Sequence, residues 1–408
     1  MRPKFVFFCR VFYPNEQANS VLLTQLCRQL SKSCDVHVVC NVPSLVPLPA
    51  DLRAVRVTRL SPPVVFQLRG VRVLEYLYAT FALFFSMWRF GKGSTFVLWT
   101  DPPFLDTWMG FFCKLRGIRF CVWLQDWYPQ NLIGMGMFRD RGRWMRRIQA
   151  WVYRSAESVI CISKDTERIL HRRKVFNTIV IENWAGPSEF APSKSKARPD
   201  WGNGLARDRL TVMFAGNFGL GLDVNMLERV IANVCPSKDF LFVFLGEGMR
   251  LPEVRALASQ YPNVILSKWL SREEVRDTMN QCDVHLVLLI EELMGAIFPS
   301  KIYSVMASGK PVLAFAPKHS MLFEMVERIG CGIAADSTRP LQMAAALERM
   351  RDLFKKRPTE LQKMGRLGRE FIENTWNDEK AAQAFLDRGK PAPADSPTLR
   401  HPGRRARL

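Results

Sequence analysis

The run Leu210-Thr211-Val212-Met213-Phe214-Ala215-Gly216-Asn217-Phe218-Gly219 joins a short apolar segment to a glycine-rich turn. Its β-branched and aromatic residues favour a buried strand, and a helical pattern resumes near Val224. Glycines that follow the first strand of an α/β domain allow backbone amides to approach a ligand at the carboxyl edge of the sheet. A plain β–α turn without a ligand explains the same pattern equally well.

Apolar runs of strand length alternate with longer helical patterns on both sides of this run, which is typical of β-α-β units with parallel sheets. A stretch without periodicity separates two such series. We therefore predict an α/β protein with two Rossmann-like, doubly wound domains that face each other across a cleft. The predicted segments are a first domain at 1–190, a linker at 191–209, a second domain at 210–376, a helix at 377–388 and a disordered basic tail at 389–408.

The sheets are predicted from the apolar runs. In the first domain the predicted strands are 4–10, 35–40, 95–100, 119–124, 158–162 and 178–181. In the second domain they are 210–214, 240–245, 264–267, 284–289 and 312–316.

The charge of the chain is unusual. There are 58 Lys and Arg against 38 Asp and Glu, a net charge of +20 in 408 residues. Such a surplus indicates a polyanionic partner, which can be a nucleic acid, an anionic membrane or a phosphorylated substrate. The usual signatures of nucleic-acid-binding modules are missing from the sequence, so specific nucleic-acid binding is not expected.

The ten cysteines stand mostly inside apolar runs, and none forms a C-x-x-C pair. This usage predicts reduced core residues in a cytoplasmic protein. The five histidines do not cluster with them, so no metal site is expected. No run of 18 uncharged apolar residues occurs, so no membrane-spanning helix is predicted.

Two further turns follow the glycine-rich one. Gly246-Glu247-Gly248 comes directly after the apolar run 240–245, and Phe298-Pro299-Ser300-Lys301 precedes a helix. We expect Pro299 in the first helical turn and Ser300 as its cap, so that open amides and the Lys301 charge attract an anion. A capped helix with a surface lysine explains the last segment alone. Three turns at one sheet edge favour a nucleotide cleft.

Together these pieces resemble a GT-B glycosyltransferase of the large retaining family 4. The resemblance is strongest to the WbuB/WcaI-like branch that makes bacterial O-antigen, capsule and exopolysaccharide. The motifs in the first half that carry it are Tyr13-Pro14-Asn15-Glu16, Asp101-Pro102-Pro103, Gln125-Asp126-Trp127-Tyr128-Pro129 and Asn183-Trp184. Those in the second half are the three turns above and Gly309-Lys310-Pro311-Val312.

The resemblance implies a nucleotide-sugar donor, UDP-linked in our expectation, that is held mainly by the second domain without a metal. It implies that the base lies near Trp269 and Leu270, and that the last helix crosses back onto the first domain. The transferred group is expected to be an N-acetylamino or deoxy sugar, and the acceptor a lipid-linked or saccharide molecule. The expected donor-binding residues are Gly216, Asn217, Gly219, Gly246, Gly248, Trp269, Leu270, Phe298, Ser300, Lys301 and Ser304.

Several positions depart from the family pattern. Ala296 and Ser304 stand where family 4 enzymes commonly have glutamates, and the usual Arg and Lys after the glycine-rich turn are missing. Ser304 is a shorter substitute that can bond a ribose hydroxyl, and Lys301 becomes the main group to neutralise the leaving diphosphate. The same departures leave open a non-catalytic nucleotide-sugar-binding partner of a polysaccharide assembly complex.

The catalytic candidates are Lys301 with Asp126 and Glu16 from the opposite domain. Asp126 follows the predicted strand 119–124, where a carboxylate can contact the acceptor or the donor sugar. An aspartate that only caps the following turn explains Asp126 equally. A nicotinamide-dependent dehydrogenase is a poor alternative, because residues 10–15 do not form a G-x-G-x-x-G turn.

The helical pattern 139–154 is both basic and aromatic. Trp144, Ile148 and Trp151 share one face, with Arg143, Arg146 and Arg147 around it. The predicted helix 74–88 is aromatic on several sides. This composition suits peripheral binding to an anionic membrane at its cytoplasmic face, although ordinary core helices with solvated arginines also explain it.

Overall fold

The structure is a computed structural model that describes residues 2–42, 46–60, 72–137, 143–191, 208–219, 221–267 and 272–388. Most of the predicted linker and all of the predicted basic tail lie outside the described residues. The described chain forms two parallel sheets, one of seven strands and one of six, with helices packed on them. The prediction of two doubly wound α/β units is confirmed.

The first sheet has the order β3-β2-β1-β4-β5-β6-β7, and all its pairings are parallel. Its strands are β1 Lys4–Cys9, β2 Asp35–Cys40, β3 Arg56–Arg59, β4 Thr95–Trp99, β5 Phe120–Leu124, β6 Ser158–Cys161 and β7 Thr178–Val180. Its helices are α1 Ala18–Leu30, α2 Arg72–Ser86, α3 Leu105–Arg116, α4 Gln130–Gly134, α5 Arg143–Tyr153 and α6 Lys164–Arg172.

The second sheet has the order β10-β9-β8-β11-β12-β13 and is also parallel. Its strands are β8 Leu210–Ala215, β9 Phe240–Leu245, β10 Val264–Ser267, β11 Val284–Leu288, β12 Val312–Ala316 and β13 Gly332–Asp336. The helices are α7 Val224–Val234, α8 Leu251–Gln260, α9 Arg272–Met279, α10 Lys301–Ala307, α11 Met321–Ile329, α12 Pro340–Lys356, α13 Pro358–Glu370 and α14 Asp378–Leu386.

The central strands are apolar at almost every position because helices cover both faces of each sheet. In β9, for example, all six residues are buried. A parallel sheet that is buried on both faces has this continuous apolar pattern, whereas a half-exposed strand would alternate. Local caps then fix where helices begin: Asp223 accepts a hydrogen bond from the Met226 amide at 3.0 Å at the start of α7.

Each sheet reverses its strand order once, between β1 and β4 in the first sheet and between β8 and β11 in the second. Neighbouring β–α loops diverge at such a point and leave a crevice beyond the carboxyl ends of the strands. The loops after β1, β4 and β8 are those that carry Arg10, Asp101 and Gly216. The fold therefore places the sequence motifs at the two crevices.

Several hydrogen bonds join the two units directly. The Trp127 amide donates to the Ala296 carbonyl at 3.1 Å, and the Tyr303 hydroxyl donates to the Glu182 carboxylate at 3.0 Å. A third runs from the Met321 amide to Asp165 at 2.9 Å. A single cluster of buried apolar side chains also includes residues of both sheets, so the two crevices are held opposite each other.

The last helix, α14, packs on α1 of the first unit. Phe385 is fully buried, and its ring stacks on Trp123 with centroids 5.5 Å apart. Gln29 of α1 donates to Asp378 at 2.6 Å. The last described helix therefore packs on the first unit, as predicted from the resemblance.

Nine of the ten cysteines are buried, and all ten are free thiols. Among the helices described, none combines the length and the apolar character that crossing a bilayer requires.

Candidate functional site

A cleft of about 770 Å³ separates the two units at their crevices. Residues of the loop after β1 and of α1 form one wall, and the turn after β8 with α10 forms the other. The residues that line it and were predicted as site residues are Glu16, Gly216, Asn217, Ser300, Lys301 and Ser304. The sequence did not single out Gln17, Gln25, Glu189 and Phe190, which also line this cleft.

Lys301 is the first residue of α10 and points back to the end of β8. Its Nζ lies 3.3 Å from the centroid of the Phe214 ring, and a Cβ atom added to Gly216 would stand 3.3 Å from this Nζ. Burial lowers the pKa of Lys301 to about 7. Within the described ranges no carboxylate forms an ion pair with it, so the ammonium group has an aromatic face but no anion.

The two glycine turns of the second unit pack backbone against backbone. Phe218 donates its amide to the Glu247 carbonyl at 2.7 Å, and a Cβ at Gly246 would stand 1.9 Å from the Gly216 carbonyl oxygen. Gly216 and Gly248 have φ of +146° and +150°, a region that side chains other than glycine rarely enter. The turn 246–248 therefore supports the turn that faces the cleft.

The four glycines predicted to bind the donor thus differ in position. Gly216 lies on the cleft wall, while Gly246 and Gly248 lie behind it against residues 216–218. Gly219 has the Asn217 amide as the nearest neighbour of an added Cβ, at 3.4 Å. The space in front of Gly216 is bounded by Lys301, which brings the first and third predicted turns together.

The predicted capping role of Ser300 is wrong. Ser300 has a helical backbone, with φ −58° and ψ −17°, and its side chain makes no capping hydrogen bond. A capping side chain needs an extended backbone to reach the amides of the next turn, and Ser300 lacks it. Ser300 instead lines both the main cleft and a smaller cavity beside it.

In that smaller cavity, of about 220 Å³, six of the nine lining residues are polar. Gln125 and Asn183, both in its lining, exchange two amide hydrogen bonds, at 2.9 and 3.0 Å. Phe298 and Ser300 of the second unit close the cavity opposite Asp126. Asn19, Ile162, Gln17 and Ala18 complete the lining.

Asp126 is the titratable group of this cavity. Burial raises its pKa to about 6, the charge of Asp101 adds to the increase, and a hydrogen bond from Asn19 opposes it. A carboxyl group with a pKa near 6 exchanges protons close to neutral pH, which suits a group that contacts a reacting hydroxyl. Glu16, by contrast, lies exposed at the mouth of the main cleft.

Two predicted residues cannot be placed: Trp269 and Leu270 lie outside the described residues. In the ranges that the structure describes, no group of three His, Cys, Asp or Glu side chains is arranged to hold a metal ion.

Both halves of the chain match families of glycosyltransferases. A family described as "Glycosyl transferase 4-like domain" matches residues 20–184, and one described as "Glycosyl transferases group 1" matches residues 209–352. The two matches together span about three quarters of the chain.

Two curated bacterial relatives cover most of the sequence. The probable glycosyltransferase WbjE of Pseudomonas aeruginosa is 24% identical over 315 residues, which is 75% of this chain and 76% of the relative. The putative colanic acid biosynthesis glycosyl transferase WcaI of Escherichia coli K12 is 23% identical over 295 residues, or 68% and 69% of the two chains.

Solved structures share the fold along nearly the whole length. Sucrose-phosphate synthase from Thermosynechococcus elongatus superposes with a TM-score of 0.70 at 16% identity, covering 95% of this chain and 98% of that one. HepE from Anabaena, solved in complex with UDP, has a TM-score of 0.65 at 13% identity, with 94% and 98% coverage. At these identities the likeness shows the fold alone.

Proposed function

The chain belongs to the family 4 glycosyltransferases with the GT-B fold, and from this membership we propose that it transfers a sugar from a nucleoside diphosphate donor to a lipid-linked or saccharide acceptor. It is a glycosyltransferase of the type that builds bacterial polysaccharides. We propose a retaining reaction, a UDP-linked N-acetylamino or deoxy sugar as donor, and action at the cytoplasmic face of the membrane.

One observation carries the donor proposal: the geometry of Lys301. Its ammonium group lies over Phe214, beside Gly216, and has no carboxylate partner in the described chain. Burying an ammonium group without an anion is unfavourable, and a bound diphosphate removes that penalty. The open backbone at Gly216 lets the phosphate oxygens approach the same point.

The nucleoside is expected in the same cleft, one turn further along α10. Ser304 lies one helical turn after Ser300 and lines the main cleft, where its hydroxyl would bond the ribose. The base would lie toward residues 268–271, outside the described range. Relatives of the same fold have been solved with UDP and with UDP-2-fluoro glucose, which supports a uridine nucleotide.

Transfer needs stabilisation of the leaving diphosphate and positioning of the acceptor. Negative charge grows on the diphosphate as the sugar bond breaks, and Lys301 with the amides near Gly216 would stabilise it. Asp126 would bond the acceptor hydroxyl or the sugar from the opposite wall, and Glu16 would contact the acceptor at the cleft mouth. These roles require no metal ion.

The test is a thermal-shift series with UDP and UDP-sugars on the parent protein and on Lys301→Ala. We expect the nucleotides to raise the melting temperature of the parent and Lys301→Ala to lose most of that increase. Lys318→Ala removes an exposed lysine that lines neither the cleft nor the smaller cavity, and it should respond like the parent. If Lys301→Ala is stabilised as strongly as Lys318→Ala, the diphosphate does not lie at Lys301.

A non-catalytic nucleotide-sugar-binding protein is the second candidate. The observation that favours it is Ala296, which stands where relatives of the family commonly have a glutamate. Ala296 is buried, and its carbonyl accepts a hydrogen bond from the Trp127 amide. A binding protein would be stabilised by UDP-sugars yet release no UDP when membrane lipid extracts are added. Release of UDP under those conditions supports the transferase.

A further inference from the structure

Exposed apolar side chains concentrate on one face of the first unit. Of the fifteen large hydrophobic residues that are exposed in the described ranges, ten stand on α2 and the turn after it, on α3 and on α5. They are Leu74, Leu77, Phe81, Phe85, Trp88, Trp108, Leu115, Trp144, Ile148 and Trp151. Single exposed hydrophobics are ordinary on protein surfaces, but a set this large on adjacent helices indicates a binding surface.

The spacing on α2 shows that the exposure follows the helical repeat. Leu77, Phe81 and Phe85 follow each other at intervals of four residues, and Phe81 and Phe85 are 59% and 65% exposed. The opposite side of the same helix, with Ala79 and Leu83, is packed into the core. A helix that is apolar on both its inner and outer faces has an outer face suited to an apolar environment.

Ring contacts join the three helices into a continuous outer layer, which we call the aromatic face. Phe112 of α3 lies 4.7 Å from Phe84 and 6.3 Å from Trp88, measured between ring centroids. Phe111 lies 5.9 Å from Trp151 of α5. The aromatic face is therefore one surface and not three separate stripes.

Basic groups surround this face. Lys114 lies with its Nζ 3.4 Å from the centroid of Trp151, and the Arg116 guanidinium lies 5.4 Å from that of Trp88. Arg89 and Arg147 are exposed beside them. The side chains described on the same three helices include two carboxylates: Glu75 pairs with Arg10, and Asp106 is buried and accepts from Tyr153.

We propose that the aromatic face docks on an anionic lipid bilayer, with its rings among the headgroups and its basic rim on the lipid phosphates. Apolar residues with lysine and arginine around them, and without exposed carboxylates between them, match that surface in both polarity and charge. Lysine is depleted at protein–protein interfaces, whereas Lys114 lies directly over Trp151 of this face, which favours the bilayer.

The aromatic face begins next to the cleft. Arg10 links the first turn of α2 to the cleft: it pairs with Glu75 at 3.6 Å, and its guanidinium lies 4.8 Å from the Tyr76 ring. The same guanidinium bonds Asp101 at 2.8 Å and Gln17 at 3.2 Å, and Gln17 lines both cavities. This placement rests on the proposed function, since a lipid-linked acceptor would reach the cleft from the docked membrane.

Flotation of the full chain with vesicles tests the proposal. Vesicles of equal parts phosphatidylglycerol and phosphatidylcholine should carry the parent protein upward, whereas vesicles of phosphatidylcholine alone should carry much less. Phe81→Ser combined with Phe85→Ser should reduce the bound-to-free ratio about tenfold or more, because two exposed rings no longer enter the lipid. Phe176→Ser and Leu341→Ser change hydrophobics that are 69% and 75% exposed elsewhere and should float like the parent.

A charge series tests the rim separately. Lys114→Glu with Arg147→Glu should weaken flotation most at low salt, since salt screens exposed charges. Lys363→Glu with Lys318→Glu, both exposed on the second unit, makes the same change of net charge and should have a small effect. An equal loss in the two pairs would show attraction to net charge alone and would overturn the assignment of this face.

Three other results would also overturn it. One is unchanged flotation of the Phe81 and Phe85 variant. Another is flotation that depends on residues 389–408 and not on the aromatic face. The third is sedimentation of the parent as a dimer that this variant turns into a monomer without lipid, which would assign the face to a second copy of the chain.

Failure of the donor proposal can be told apart from failure of docking. Lys301→Ala should float like the parent, and the Phe81 and Phe85 variant should keep the UDP-induced increase in melting temperature. Retention of that increase also shows that the variant is folded. If no nucleotide stabilises any variant while the flotation differences persist, docking stands and the donor proposal fails.

Discussion

The ammonium group of Lys301 lies 3.3 Å from the centroid of the Phe214 ring, on the first residue of α10 and the fifth of β8. The contact joins the two elements whose loops bound the donor side of the cleft. Because burial lowers the pKa of Lys301 to about 7, the free protein holds this group close to half protonated at neutral pH. A diphosphate that binds there would favour the charged form.

We therefore predict that UDP binding takes up a proton above pH 7. The free lysine is mostly neutral at pH 8, the bound lysine is charged, and the uptake should approach about one proton per site. Titration calorimetry in buffers with different heats of ionisation measures this uptake. Affinity should also fall as pH rises above 7, by up to roughly tenfold per pH unit.

Lys318→Met should keep the proton uptake because Lys318 is exposed and does not line the cleft. Lys301→Met should abolish it together with most of the affinity. Proton release on UDP binding, or uptake that Lys301→Met leaves intact, would exclude Lys301 as the group that titrates.

The second prediction concerns Asp126→Asn, which should lower turnover about a hundredfold or more if the carboxylate contacts the reacting groups. The variant should also be more stable than the parent at pH 7. The folded state raises the pKa of Asp126 to about 6 from an ordinary value of 3.8, so it binds a proton more tightly than the unfolded state. The penalty of the buried charge therefore develops as pH rises from about 4 to 6 and is complete at pH 7.

Urea unfolding at pH 3.5 and pH 7 measures that difference. We expect Asp126→Asn to gain on the order of 1–3 kcal/mol over the parent at pH 7 and little at the lower pH. Asp35→Asn, at an exposed residue for which the described chain shows no ion pair, should change the unfolding free energy by less than about 0.5 kcal/mol at both pH values. A loss of stability at pH 7 would show that the Asp126 carboxylate holds the structure together and is not a functional group kept at a cost.

The third prediction concerns Gly246→Ala. The added methyl group would stand 1.9 Å from the Gly216 carbonyl oxygen and 2.8 Å from the Phe218 ring, so the turn 216–219 must move. We expect a loss of about 2–4 kcal/mol in unfolding free energy and the loss of UDP-induced stabilisation. Gly93→Ala has no atom within 4 Å of the new methyl and should leave both unchanged. Normal UDP binding by Gly246→Ala would show that the turn does not contact the donor.

Much of the fold follows from the sequence because parallel strands buried on both faces are continuous apolar runs. The predicted strands 35–40 and 240–245 agree with β2 and β9 at both ends. The prediction omitted β3 and β13. β3 is an edge strand with the sequence Arg-Val-Thr-Arg, and β13 reads Gly-Ile-Ala-Ala-Asp, so neither has the bulky apolar run that marks a central strand.

The site could be predicted as a set of motifs but not as an arrangement. The glycine turns and Lys301 are visible in the sequence, whereas the support of Gly216 by Gly246 depends on two loops that meet only in the fold. The pKa of Lys301 could not be predicted either, because it depends on burial against Phe214, which lies 87 positions earlier in the chain. The sequence predicts a capping role for Ser300 because serine is a frequent cap, but the helical backbone of this residue excludes that role.

The last prediction concerns Phe385, through which α14 holds the two units together. Phe385 is fully buried, with Trp123 stacked on it at 5.5 Å and Phe5 at 5.2 Å. Phe385 belongs to α14, but its ring packs in the core of the first unit, and Phe385→Ala removes that ring. We expect a loss of about 3–5 kcal/mol, measured by urea unfolding.

Gln383→Ala is the matched control on the same helix, because Gln383 is exposed. Its side chain donates a hydrogen bond to Asp387, the residue that follows α14. Its effect should stay within about 0.5 kcal/mol. If Phe385→Ala costs less than about 1 kcal/mol, the stack with Trp123 contributes little, and the attachment of α14 must depend on other contacts such as the bond between Gln29 and Asp378. A full loss would instead mean that the first unit needs α14 to complete its core, because the ring that fills the space beside Trp123 and Phe5 comes from that helix.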